Sequence, residues 1–226
     1  MSAYHILTSH GVTRLCHFTK FQSLTHIISS PDGVLASSSI RQDTKNFTDT
    51  ARYDGELDYV CCSVQYPNSW FLEKARQSNT DKIFRDWVVI YINLSILNYR
   101  SAKFCPCNAA KDYGLHISDD MDNVDSIFAK SVSTFRYSRT ANMLDSCPTD
   151  GQAEVLIKHN IPREYIIGIA VGNEDVATRV YSLLIMHKLE QIPLFIAPDV
   201  LTPSWSALIR NGHRPTEHKC NWSEED

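Results

Sequence analysis

The chain has 226 residues, 43% of them apolar, which suits one globular domain with a substantial core and excludes a disordered chain. Its net charge of −4, with no domain-wide basic field, argues against a protein that coats nucleic acid by charge alone. It leaves room for an enzyme that grips a few nucleotides through a local basic patch.

In chain order, residues 14–19 (RLCHFT) read as a short strand. Residues 21–29 read as a helix, with Phe21, Leu24, Ile27 and Ile28 at helical spacing. Ser30-Pro31-Asp32-Gly33 breaks the chain before a short strand at 34–36. Residues 37–54 are polar and aperiodic, which predicts a long loop or lid. Strands follow at 57–64 and, most strongly, at 87–94, where β-branched and aromatic residues crowd together. Between them, 68–75 reads as a helical turn. A short strand is expected at 102–104 and weak helix within the acidic stretch 118–129. Strands at 152–157 and 166–171, an amphipathic helix over 175–188 after Asn173, and a closing strand at 194–196 complete the set. One domain over 1–210 and a polar C-terminal tail over 211–226 are expected.

Strands outnumber helices and lack regular crossover helices, which predicts an α+β fold and excludes a doubly wound sheet. No GxGxxG or GxxxxGK[ST] run is present, so phosphate loops of those kinds are excluded. The start of the sequence lacks the apolar core of a secretion signal, and no apolar run reaches membrane-spanning length. The seven cysteines include an adjacent pair, Cys61-Cys62, and a CxC, Cys105 with Cys107, but no CxxC. Reduced thiols in a cytoplasmic protein are the reading that fits. Asp119, Asp120, Asp122 and Asp125 lack the glycine and terminal Glu of a calcium loop, and His213, His218 and Cys220 fall in the expected tail, so no metal is expected.

The most informative run is Gly151-Gln152-Ala153-Glu154-Val155-Leu156-Ile157. In a strand, Gln152 and Glu154 share one face. A carboxylate opening a core strand requires a reason. Four further segments accompany it. Leu15-Cys16-His17-Phe18-Thr19 precedes the helix at 21–29; Arg52 precedes Asp58-Tyr59-Val60; Asn108-Ala109-Ala110 stands mid-chain; and Ile161-Pro162 leads into the strand at 166–171. This order, spanning about residues 14–171, resembles the ADP-ribosyltransferase superfamily and, more closely, its DarT-like nucleic-acid ADP-ribosyltransferase toxins. One departure is that Cys61, Cys62 and Ser63 stand where the family tends to carry aromatic residues.

The resemblance implies an ADP-ribosyltransferase-like split antiparallel β-sandwich with peripheral helices, and NAD as co-substrate. Breaking the bond between nicotinamide and ribose passes through an oxocarbenium-like state. A carboxylate beside the sugar stabilises that charge and takes a proton from an attacking base nitrogen, the role implied for Glu154. Arg52 would meet a phosphate of NAD or polarise the departing nicotinamide. His17 and Thr19 would bond the ribose or the nicotinamide amide, with Phe18 and Tyr59 packing beside the ring. Gln152 would orient the acceptor, and Asn108 would touch the acceptor or the adenosine side. Arg136, Tyr137 and Arg139 suit a single strand of nucleic acid, with Arg on phosphates and a base on Tyr. The acceptor would be single-stranded DNA or RNA. The setting implied is a toxin–antitoxin or phage-defence system, with an antitoxin that in this family is often a macrodomain protein removing ADP-ribose. Transfer to a protein side chain, and an inactive binding module, are the competing classes.

Overall fold

The run Trp87–Ile92 is buried at all six residues, which requires apolar cover on both faces and a strand on each side. The computed structural model describes residues 1–40, 53–78, 86–132, 136 and 138–222. In chain order its elements are α1 (Ala3–Ser9), β1 (Leu15–Lys20), α2 (Phe21–Ser29), β2 (Val34–Leu35), β3 (Tyr59–Val64) and α3 (Ser69–Ser78). Then come β4 (Trp87–Ile92), β5 (Ala102–Cys105), α4 (Met121–Ser126), β6 (Glu154–Lys158) and β7 (Asn160–Ile161). The last are β8 (Ile166–Val171), α5 (Glu174–Met186), β9 (Leu194–Ile196), α6 (Trp205–Arg210) and β10 (His218–Lys219).

Among the described residues, eight strands form one sheet in the order β10-β9-β8-β4-β1-β3-β6-β5, and β2 pairs with β7 beside it. Every junction of the large sheet is antiparallel except β8 with β9. Side chains alternate between faces as strand geometry demands. Val88, Ile90 and Ile92 enter one apolar cluster, with Ile6 and Leu7 of α1, Leu24 and Ile28 of α2, and Val180 and Leu184 of α5. Trp87, Val89 and Tyr91 enter a second on the opposite face, with Leu72 of α3 and Trp205 of α6. A third cluster, around Cys105, Cys107, Ala109, Val132 and Leu156, lies at the far end of the sheet.

The helices start where their caps allow. Ser2 accepts from the His5 N–H at the head of α1, and Asn173 accepts from the Val176 N–H at 3.0 Å at the head of α5. The segment expected as a tail is, as far as residue 222, tied into the molecule. His218 and Lys219 extend the sheet against Ile196 and Phe195, and Trp222 stacks on Tyr181 with centroids 4.6 Å apart. The Glu217 carboxylate takes two bonds from the Arg14 guanidinium, one at 2.9 Å, and another from the Tyr91 hydroxyl at 2.9 Å. A carboxylate brought to a mostly buried guanidinium holds this segment where its polar composition alone would not.

Candidate functional site

β1 pairs with β4 along its full length, from Leu15↔Ile92 to Lys20↔Trp87, but meets β3 only at Leu15↔Val64 and Cys16↔Ser63. Beyond Cys16 the two strands part, and the sheet splits while its halves stay joined at that short ladder. His17 is the first residue past the join. Its Nδ1 lies 2.9 Å from the Cys61 carbonyl oxygen, which only accepts, so Nδ1 carries the hydrogen and donates it. The imidazole thereby holds the opening where the backbone ladder has ended. A cavity of about 830 Å³ occupies the split, a size suited to a small molecule or cofactor.

Glu154, the first residue of β6, stands between Ser63 of β3 and Cys105 of β5 and lines this cavity half-buried. Its Oε1 accepts from the Ala109 N–H at 3.0 Å. That amide is aimed by a local turn in which the Asn108 Oδ1 accepts from the Ala110 N–H at 3.0 Å. Asn-Ala-Ala is therefore the device that fixes the carboxylate. Gln152 lies not in the strand but in the turn before it. Asp150 accepts the Gln152 N–H on its side chain and the Ala153 N–H on its carbonyl, both at 2.9 Å, so β6 starts two residues later than the alternation predicted. Gln152 and Glu154 still face the same cavity. Burial raises the Asp150 carboxyl above the usual carboxylate range, against the opposing pull of the Gln152 N–H and the Lys111 charge.

Gly151 admits no side chain. A Cβ there would stand 2.7 Å from the ring of Trp70 and 2.8 Å from that of Trp205. Ser63 also has a role that its place in the Cys-Cys-Ser run hid. Its Oγ accepts from the Asn68 N–H at 2.9 Å, and the Asn68 Oδ1 accepts from the Phe71 N–H at 3.1 Å, an N-cap for α3. The helix thus set brings Trp70, Phe71 and Lys74 to the cavity. Phe71 meets Phe18 edge-on at 5.8 Å, so β1 and α3 supply aromatic wall where β3 carries cysteines.

The other predicted residues divide. His17, Phe18, Thr19, Tyr59 and Asn108 all line the cavity with Gln152 and Glu154. The Lys103 ammonium lies 4.8 Å over the Tyr59 ring. Arg136 is exposed and Arg139 half-buried, and neither lines the cavity. The Arg139 guanidinium donates to the carbonyls of Cys147 and Leu144, both at 2.8 Å, clasping its own loop rather than an open groove. Arg52 and Tyr137 lie outside the described residues, as does most of the predicted loop at 37–54. Burial pushes the Cys16 thiol up to about 12 and the Cys147 thiol up to about 11, and it raises Cys62 as well. Thiols held protonated in this way are poor nucleophiles and poor metal ligands. Among the described residues, no three His, Cys, Asp or Glu side chains are grouped to hold a metal ion.

A family model described as "ssDNA thymidine ADP-ribosyltransferase, DarT" matches residues 16–202. The chain belongs to the DarT family. It is an NAD-dependent ADP-ribosyltransferase that modifies a nucleobase of single-stranded DNA. The fold agrees. Thermus sp. 2.9 DarT in complex with ADP-ribosylated ssDNA superposes with a TM-score of 0.63 at 15% identity, covering 84% of this chain and 96% of that one. Thermus sp. 2.9 DarT in complex with NAD+ gives 0.55 at 16% identity, over 78% and 90% of the two chains. Thermosipho africanus DarTG in complex with ADP-ribose gives 0.55 at 16% identity, over 84% of this chain and 51% of that one. No curated protein matches the chain by sequence. The DarT fold here is the expected split antiparallel architecture, with the split located after Cys16.

Proposed function

We propose that the split between β1 and β3 binds NAD with its nicotinamide ribose against Glu154, and that thymidine in single-stranded DNA is the acceptor. The observation that carries this reading is the Glu154 carboxylate, fixed by the Ala109 N–H and sharing one cavity with His17. As the bond from C1 of the ribose to nicotinamide lengthens, positive charge develops on the sugar, and Glu154 stabilises it from the side. The attacking ring nitrogen of the base forms the new bond to that carbon. Its proton passes to Glu154, and nicotinamide leaves with the electron pair of the broken bond. His17 and Thr19 bond the nicotinamide amide and ribose, and Tyr59 and Phe18 pack on the ring. Asn108 acts through the turn that aims Ala109, and Gln152 orients the base. Ser23, Ser29, Ser30 and Ser39, which line the cavity along α2 and the chain after it, offer hydroxyls to the pyrophosphate and adenosine. Arg52 pairs with a phosphate of NAD.

The protein acts in the cytoplasm as a toxin of a toxin–antitoxin or phage-defence system. An antitoxin restrains it, a reading that the likeness to Thermosipho africanus DarTG supports, and a macrodomain ADP-ribosyl hydrolase is the antitoxin we propose. Incubation with NAD labelled in the adenosine half tests the proposal. Parallel reactions contain single-stranded DNA with or without thymidine, RNA, duplex DNA and mixed protein. Label on thymidine-containing single strands alone is expected. Label confined to protein, or label indifferent to thymidine, would overturn it.

A further inference from the structure

Of the three residues expected to meet the acceptor strand's phosphates and stack a base, Arg136 and Arg139 do not line the cavity and Tyr137 lies outside the described residues, whereas α3 does bring an aromatic ring and a cation to it. The geometry points to the start of α3 as the strand's platform: one base of the acceptor strand stacks on Trp70, and the adjoining phosphate meets Lys74. This inference rests on the reading of the cavity as the transfer site.

Trp70 is 37% exposed and lines the cavity together with Gln152 and Glu154. Such a large apolar ring facing an open site on a rigid support is suited to stacking. The support is built from several directions. Trp205 meets the Trp70 ring edge-on, with centroids 5.5 Å apart and an interplanar angle of 68°. The Trp205 Nε1–H donates to the Ser69 Oγ at 2.7 Å, and that hydroxyl donates to the Val200 carbonyl at 2.9 Å, all of it buried. Gly151 lies against both indoles, and a Cβ there would stand 2.7 Å from the Trp70 ring and 2.8 Å from that of Trp205. Gly151 is covalently joined to Gln152 and stands three residues before Glu154, so the ring and the carboxylate are held by one short segment. The Asn68 cap fixes the helix turn that bears the indole.

Lys74 follows Trp70 by one helical turn, so both side chains lie on the same face. It is exposed, lines the cavity, and makes no ion pair among the described residues. An aromatic face with a cation one turn away matches the spacing of a base and its phosphate in a single strand. Stacking tolerates any base, so Trp70 would hold the strand while the choice of thymidine falls to polar groups nearer Glu154, such as Gln152.

Fluorescence anisotropy with a labelled thymidine-containing oligonucleotide tests this without requiring turnover. Trp70→Ala should weaken oligonucleotide binding about tenfold, and Trp70→Phe should recover part of the loss. Lys74→Ala should flatten the dependence of log affinity on log salt by about 0.7. NAD affinity, read by calorimetry on the same Trp70→Ala protein, should change far less than oligonucleotide affinity. Equal oligonucleotide affinity for wild type and Trp70→Ala, or no oligonucleotide binding at all, would overturn the platform. An equal loss of NAD affinity would assign the indole to the dinucleotide instead and overturn it too. Trp70-dependent binding without any transfer of ADP-ribose would leave the platform standing and bring down the proposed chemistry alone.

Discussion

The two faces of the sheet are built differently. One carries a single continuous core in which α1, α2 and α5 cover β1, β4, β3, β6 and β8. The other carries two separate apolar clusters, one around Trp205 and Tyr91 and one around Cys105 and Leu156, with the cavity between them. The continuous face is held by backbone ladders and aliphatic packing, and it reaches the cavity through α2, β2 and β3, with Ser23, Ile27, Val34 and Val60. The divided face gives up packing where β1 leaves β3, and single side-chain bonds then hold the opening: His17 to Cys61, Asn68 to Ser63, and the Ala109 amide to Glu154. Stability and chemistry therefore draw on different residues, and substitutions can separate them.

The largest effect on stability is expected away from the cavity. Glu217→Ala leaves the Arg14 guanidinium, whose side chain is only 13% exposed, without its carboxylate. It should cost about 3 kcal/mol in urea unfolding, while the transfer rate per folded molecule holds. A double replacement of Arg14 and Glu217 by apolar residues should recover much of that loss, since desolvation offsets most of what such a pair contributes.

Gly151→Ala should affect both properties, because a methyl group there strikes Trp70 and Trp205. A loss of about 1–3 kcal/mol is expected, with a drop in transfer to DNA as the turn before Glu154 shifts. Retention of wild-type stability and transfer would mean that the two indoles yield more freely than the close contact implies.

The smallest effect is a pH dependence. Burial raises the Asp150 carboxyl, so the native state keeps a proton at pH values where the unfolded chain has lost it. Stability therefore falls as pH rises from the usual carboxylate range through the raised native value, and is level above it. Asp150→Asn keeps an oxygen to accept from the Gln152 N–H and should remove this slope in urea titrations from about pH 4 to 7.

Much of the sheet was legible in the sequence. The apolar runs that became β4 and β8 and the helical spacing that became α2 and α5 each specify one period and one buried face. The candidate site was legible through local runs whose side chains share the cavity, His17-Phe18-Thr19 and Gln152 with Glu154. The rest depended on contacts between distant segments. Where β1 stops pairing with β3 is not written in either strand. Arg139 looks available for phosphate until its loop folds back on it. α1 and β10 are short, and contacts with distant segments fix them: burial of Ile6 and Leu7 for α1, and for β10 the ladder to β9 with the bond from Arg14 to Glu217 beside it. Trp70 left one signal, an aromatic pair after Asn68-Ser69 at a helix start, but nothing local says that it faces Glu154.

Glu154→Gln measures the central claim most directly, since the amide keeps an oxygen for the Ala109 N–H and removes only the charge. Transfer of labelled ADP-ribose to a thymidine-containing single strand should fall by at least about 100-fold, with the melting temperature close to that of the wild type. Transfer near the wild-type rate in a folded Glu154→Gln protein would contradict the account.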